Sequence, residues 1–281
     1  MQDKLTHSTP STRELQLLAK DCRIEILKML TQAQSGHPGG SLSAIDILVY
    51  LFFAEINMNT SDPYWVDRDR FILSKGHAVP ALYTVFAKKG IIPQEELSTL
   101  RQLGSRLQGH PDRVLFPFVE ASTGSLGQGL SVAQGIALGL KVSQKDARVF
   151  CLLGDGELQE GQVWEAAMSA PKFKLNHLTV IIDCNNGQID GHTDEVMSIE
   201  PLAKKWEAFN WSVQQVDGHS FDELRAAFLH IKKNKTSSPN LIIARTVKGK
   251  GVSFMENQIG WHGVAPTKEQ CEQAITELNM N

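Results

Sequence analysis

From Arg13 onward, apolar positions recur at three- and four-residue steps: Leu15, Leu18, Cys22, Ile26 and Leu30. That period predicts a helix. It should end in Ser35-Gly36-His37-Pro38-Gly39-Gly40, where glycine and proline interrupt the pattern. Ser41 then reads as the N-cap of a second helix reaching about Phe53. Residues 1–12 are polar and rich in Ser and Thr, and should be flexible. Further on the period changes. Val149 to Leu153, Leu178 to Asp183, Trp211 to Val216 and Leu241 to Thr246 read as strands, several of them apolar on both faces. Between them, Leu126 to Val142, Val163 to Ala170 and Phe221 to Lys233 read as helices. Strands that alternate with helices and show no polar face predict an α/β fold, a mostly parallel sheet covered by helices on both sides. No repeat or low-complexity linker divides the chain, so 13–281 reads as one domain.

Composition narrows the function classes. Of 281 residues, 42% are hydrophobic and 21% charged, which excludes a disordered chain. Against 28 basic side chains stand 31 acidic ones, a net charge of -3, so no field invites nucleic acid or an anionic membrane. The longest nearly apolar run, Ala44 to Ala54, is interrupted by Asp46 and is too short to span a bilayer. No apolar stretch follows Met1 to Lys4, so no secretory signal is expected. The four cysteines are widely separated and contain no CxxC pair, which reads as buried thiols rather than a disulfide frame or zinc site. The expected setting is cytoplasmic.

An open parallel sheet places its ligand beyond the carboxyl ends of its strands. There stand Gly154-Asp155-Gly156-Glu157 after one strand and Asp183-Cys184-Asn185-Asn186-Gly187 after the next. A carboxylate between glycines would repel a phosphate unless a cation lay between them. Mg²⁺ or Ca²⁺ on Asp155, Asn185 and the Gly187 carbonyl, completed by water and phosphate oxygens, would resolve the conflict. The competing reading is two polar turns. Five of the nine histidines directly follow glycine: His37, His77, His110, His192 and His219. His262 precedes Gly263. Histidine moves protons near neutral pH and donates to hydroxyls or phosphates. Ser122 to Gly129 is glycine-rich and opens a helix, either as a cofactor cradle or as a tight helix start, and it is not a Walker A loop. Lys248-Gly249-Lys250 reads as a solvated turn in preference to a phosphate site.

Gly154-Asp155-Gly156 with Asn185 thirty positions beyond Asp155 resembles the thiamine diphosphate fingerprint. Ser35 to Gly40, Asp69 to Ala78, Gly109-His110-Pro111, Ser122 to Gly129, Gly154 to Gly161 and Trp261-His262-Gly263 narrow the resemblance to the transketolase family, over about residues 15 to 265. The resemblance implies thiamine diphosphate with Mg²⁺ or Ca²⁺ as cofactors. It implies that His77 contacts the diphosphate. Gly124, Ser125 and Leu126 would line the cofactor, with Gly154, Gly156 and Glu157 beside the diphosphate and Ile189 near the thiazolium. Asp155, Asn185 and the Gly187 carbonyl match the metal ligands. His37 and His262 match the pair that handles the donor sugar's hydroxyl proton, and His110 the histidine at its two-carbon end. Glu160 and Glu165 match interface carboxylates that link two active sites.

Two departures qualify the resemblance. Ser125 stands where many full-length members carry proline. The family usually spans three domains and more than twice this length, and its second domain supplies the glutamate that activates the aminopyrimidine. The resemblance therefore implies the N-terminal subunit of a split transketolase. It would move a two-carbon ketol unit from a ketose to an aldose, phosphorylated or not. It would act with a separate C-terminal chain, in an assembly holding two copies of each. Rival readings are a deoxyxylulose phosphate synthase-like or E1-like subunit, which the four matched histidines oppose, or a non-catalytic regulatory relative.

Overall fold

The structure, a computed structural model, describes residues 9–234 and 236–280. Five strands form one parallel sheet: β1 (Arg70–Leu73), β2 (Val149–Gly154), β3 (Leu178–Cys184), β4 (Ser212–Asp217) and β5 (Asn240–Arg245), in the order β1-β2-β3-β5-β4. Helices cover both faces: α1 (Thr12–Ala33), α2 (Pro38–Tyr50), α3 (Val79–Lys88), α4 (Gln128–Val142), α5 (Gly161–Lys172), the single turn α6 (Thr193–Val196), α7 (Leu202–Ala208), α8 (Phe221–Lys233) and α9 (Lys268–Met280).

Period-two alternation divides the core. Phe150 and Leu152 of β2 point toward α1, α2 and α8, with Ile181 and Ile242 beside them. Cys151, Leu153, Val180, Ile182 and Ile243 point the other way, toward α4, α5 and α7. Both sets are buried, so β2 and β3 show no polar face. All four cysteines are buried in these layers.

Several elements depart from the sequence expectation. Ser41 does not cap the second helix. That helix begins three residues earlier with Pro38 at its first position and His37 as N-cap, and the Ser41 hydroxyl donates to the His37 carbonyl at 2.7 Å. Proline's fixed φ suits a helix start, so it opens α2 instead of merely ending α1. A π-helical turn, Leu51–Glu55, follows α2. At the other terminus, Ser11 closes a capping box with Glu14, so Thr12 is already helical; residues 1–8 lie outside the described residues. β1 carries only four residues, too few to show a period. α3 is buried without a break from Val79 to Phe86, a largely apolar run too short for its type to be read from the sequence.

The strand order fixes the location of a ligand site. From β1 to β3 the chain steps in one direction across the sheet. It then passes to the outer strand β4 and returns to β5, which pairs with β3 in parallel. The direction reverses there, which opens a crevice outside the carboxyl ends of β3 and β5.

Candidate active site

Asp183 sits at the end of β3 and organises this crevice. It is fully buried. It accepts from Ser43 Oγ of α2 at 2.6 Å, from Asn185 Nδ2 at 3.3 Å, from Thr246 Oγ1 after β5, and from the Lys75 ammonium after β1. Burial alone would push its pKa up, but Lys75 and these donors outweigh burial and hold it below the usual carboxylate range. Lys75 also donates to the Gly40 carbonyl at 3.2 Å. A buried ion pair so fully hydrogen-bonded acts as a fixed post, joining α2, β1, β3 and β5.

Asp155, at the end of β2, is in the opposite condition. It is 1% exposed, and among the described residues its carboxylate accepts only backbone N–H groups, from Gly156 at 2.9 Å and Asn186 at 2.5 Å. Burial and the neighbouring Asp183 charge push its pKa up to about 6. Asn185 is buried beside it, with its Oδ1 accepting from Gly187 N–H at 3.0 Å. The Gly187 carbonyl meets Lys248 Nζ at 3.3 Å, which leaves one lone pair free. An under-compensated buried carboxylate, an amide oxygen and a carbonyl, all hard oxygen donors at adjacent strand ends, fit Mg²⁺ or Ca²⁺.

Four histidines from four distant segments converge next to these groups. His37, at the N-terminus of α2, lies 5.2 Å from the His77 ring, 5.5 Å from His262 and 6.3 Å from His110, centroid to centroid. His77 and His262 are 5.5 Å apart. Burial and then neighbouring cations depress all four. His37 falls to about 4 and His262 to about 3, while His77 lies well below the ordinary imidazole value and His110 below it. At neutral pH the rings are neutral, each with one donor and one acceptor nitrogen. His37 Nδ1 is buried without a hydrogen-bond partner among the described residues. His110 lies over Gly124, whose φ of +152° and ring contact leave no room for a side chain. Beside it opens a 430 Å³ cleft lined by Arg101, Gln108, Gly109, His110, Pro111 and Asp112.

The other expected residues divide into three groups. Gly124 borders the cluster at His110, Leu126 is half-buried, and Ser125 is exposed between them. Glu157 points inward: its buried carboxylate accepts from Gly127 N–H at 2.8 Å, Gly154 N–H at 3.0 Å and the Ser74 hydroxyl. It shapes the loops around the site through those three bonds. Gly156 lies against Gln188, and Ile189 is 71% exposed. Glu160 and Glu165 are exposed at the start of α5 and on its first turns, with no hydrogen bond to the four histidines among the described residues.

Sequence reasoning missed two cations. Lys75 lies within one of the family words but carries no role there. Lys248, expected in a solvated turn, is 2% exposed, with Nζ 3.1 Å from His262 Nδ1. Burial and the Lys75 charge lower its pKa to about 8. The rule that singled out the ends of β2 and β3 applies equally to the end of β5 and points to Lys248. Two buried ammonium groups beside four neutral imidazoles form a site for an anion with a polar organic part.

Residues 15–281 match the family described as the transketolase thiamine diphosphate-binding domain. The chain is 42% identical over 265 residues to a 6-deoxy-6-sulfo-D-fructose transketolase subunit of Clostridium sp. (strain MSTE9), covering 94% of this chain and 96% of that one. It is 41% identical to one subunit of the apulose-4-phosphate transketolase of Phocaeicola vulgatus, covering 94% of each. It is similar to Homo sapiens transketolase at 43% identity, over 97% of this chain but only 44% of that protein. Among solved structures, transketolase from Campylobacter jejuni superposes with a TM-score of 0.90 at 34% identity, over 96% of this chain and 43% of that one. The chain thus spans under half the length of the full-length transketolases it matches, and nearly all of the relatives named as subunits.

Proposed function

The chain belongs to the transketolase family of thiamine diphosphate-binding domains, and from that premise we propose that it is the diphosphate-binding subunit of a two-subunit transketolase. The observation that carries this reading is the convergence at one sheet end of an under-compensated Asp155, two buried ammonium groups and four neutral histidines.

Each group then has a task. Asp155, Asn185 and the Gly187 carbonyl would hold a divalent cation. Lys75, Lys248 and His77 would bind the diphosphate, with the cation between it and Asp155. Thiamine diphosphate, when bound, supplies the nucleophilic carbon and the electron sink for cleaving the bond beside a ketose carbonyl. His262 or His37, neutral at working pH, takes the proton of the donor's C3 hydroxyl as the C2–C3 bond breaks. The same nitrogen returns it to the product aldehyde in the reverse direction. His110 would hold a hydroxyl at the two-carbon end of the donor ketose. A ketose and an aldose are therefore the substrate classes, and selection of their anionic tails belongs to the partner.

The partner covers the open side of the site. Ile189 and Met197 are 71% and 63% exposed, and a 790 Å³ apolar cavity between Trp164, Met197 and Phe209 lies nearby. Exposed apolar area of this kind marks a protein interface. Glu160 and Glu165 on α5 would meet a second copy there, giving two of each chain.

Calorimetry on the reconstituted complex tests the cation assignment. Asp155→Asn should weaken metal-dependent thiamine diphosphate binding by more than about tenfold. Loss of the disfavoured buried charge opposes the one backbone N–H, of Gly156 or Asn186, that the amide leaves unpaired, so the variant should still unfold in a cooperative transition. Unchanged cofactor affinity in the variant would refute the cation assignment.

A further inference from the structure

Lys248 rides on an irregular segment, 246–251, that follows β5 and is tied to the sheet only at its start, where Thr246 N–H donates to the Cys184 carbonyl at 3.1 Å. The Lys248 carbonyl accepts from Asn257 N–H at 2.9 Å, and Gly251 N–H donates to Glu256 Oε1 at 2.9 Å; three further contacts reach the segment from α1, α2 and the loop before α8. Val247 N–H donates to His219 Nε2 at 2.9 Å, Gly249 N–H to the Gly39 carbonyl at 3.0 Å, and the Lys250 carbonyl accepts from Arg23 Nε at 3.1 Å. The residues flanking Lys248 are thus fixed on both sides.

The His219 ring is itself fixed. Since Nε2 accepts, the ring proton is on Nδ1, which donates to Asp46 Oδ2 at 2.6 Å. Asp46 is buried on α2, where Arg23 of α1 grips it bidentately at 3.0 and 2.5 Å. Arg23 therefore reaches the segment by two routes, directly at Lys250 and through Asp46 and His219 at Val247. A buried Arg–Asp–His chain adds little net stability over apolar packing of the same volume. Holding one segment in register is the use that its geometry serves.

We propose that His219, oriented by Asp46 and Arg23, is a positioning residue that sets the Lys248 amine in the anion site. The claim rests on reading Lys248 as a diphosphate ligand. Lys248 Nζ meets the Gly187 carbonyl at 3.3 Å and His262 Nδ1 at 3.1 Å, so a shift of about 1 Å in the segment would carry it out of range of both.

Two variants separate positioning from folding. His219→Asn keeps an amide where Nδ1 lies, so Asp46 stays partnered, but it places nothing where Nε2 lies. His219→Gln restores an acceptor at that position. In the reconstituted complex, His219→Asn should raise the thiamine diphosphate concentration for half-saturation about tenfold. It should also speed amide hydrogen exchange within 246–251, measured without cofactor, and His219→Gln should recover much of both. Wild-type half-saturation in His219→Asn, wild-type exchange in 246–251, or equal losses in the two variants would each overturn the proposal. Failure of the cofactor reading would show separately, as a wild-type complex that takes up no thiamine diphosphate. The exchange comparison would then decide alone whether His219 holds the segment.

Discussion

At the scale of single residues, the histidines carry a measurable consequence of burial. In the folded chain His37 and His262 take up protons only at about 4 and 3, against about 6.5 when unfolded. Between those values the unfolded state binds more protons at these two rings, so their contribution to stability falls as pH drops from 6.5 toward 3, while Asp155, raised to about 6, contributes in the opposite sense below that pH. The difference in melting temperature between the purified chain and its His262→Asn variant should therefore shrink as pH drops below 6.5. An identical pH profile in the variant would contradict the burial argument. The same residues divide by role. His77→Ala should raise the cofactor concentration needed, whereas His110→Ala should cut turnover about a hundredfold or more with cofactor affinity nearly retained. Half-saturation and turnover measured side by side distinguish the two, and a His77 variant that loses only turnover would reverse the assignment. These histidines were legible in the sequence because each sits in a Gly-His or His-Gly word. Lys75, Lys248 and Asp183 were not, because a lysine or aspartate in a polar loop has no local pattern that reveals burial. Only the assembled strand ends do so.

At the scale of elements, the site stands on the ends of β1, β2, β3 and β5 and on the first turn of α2. Glu157 couples two of these pieces to the start of α4, taking Ser74 after β1, Gly154 of β2 and Gly127 before α4. Glu157→Gln offers one acceptor and an amide NH₂ in place of two oxygens, so at least one buried N–H is left unpaired. The expected cost is about 1–3 kcal/mol, read as a lower urea midpoint, and an unchanged midpoint would refute the coupling. The alternation of strands and helices announced β2 to β5 and α8, since their periods run long enough to read. β1 escaped because four residues carry no period, and α3 because its buried run is too short for its type to be read. The Ser41 assignment failed because capping preference was weighed without the proline that starts α2 three residues earlier.

At the scale of the whole molecule, the sheet presents half of a pocket. On the proposed reading Asp155, Asn185 and the Gly187 carbonyl hold the cation, and Lys75, Lys248 and His77 the diphosphate. Ile189, expected beside the thiazolium, stands exposed, and none of the described residues has been assigned to the aminopyrimidine. The relatives named as subunits match this chain over nearly their full length, while full-length transketolases extend well beyond it. Catalysis should then require a second chain of roughly 300 residues, the size of two typical domains. That chain would supply the acid–base group at the aminopyrimidine, worth about two to four powers of ten in rate, and the wall that excludes water. The most direct test is a ketose-to-aldose transfer assay on the purified chain with thiamine diphosphate and Mg²⁺, by itself and after addition of the separately purified partner. The isolated chain should give no turnover and the mixture should restore it; robust transfer without the partner would contradict the two-subunit account.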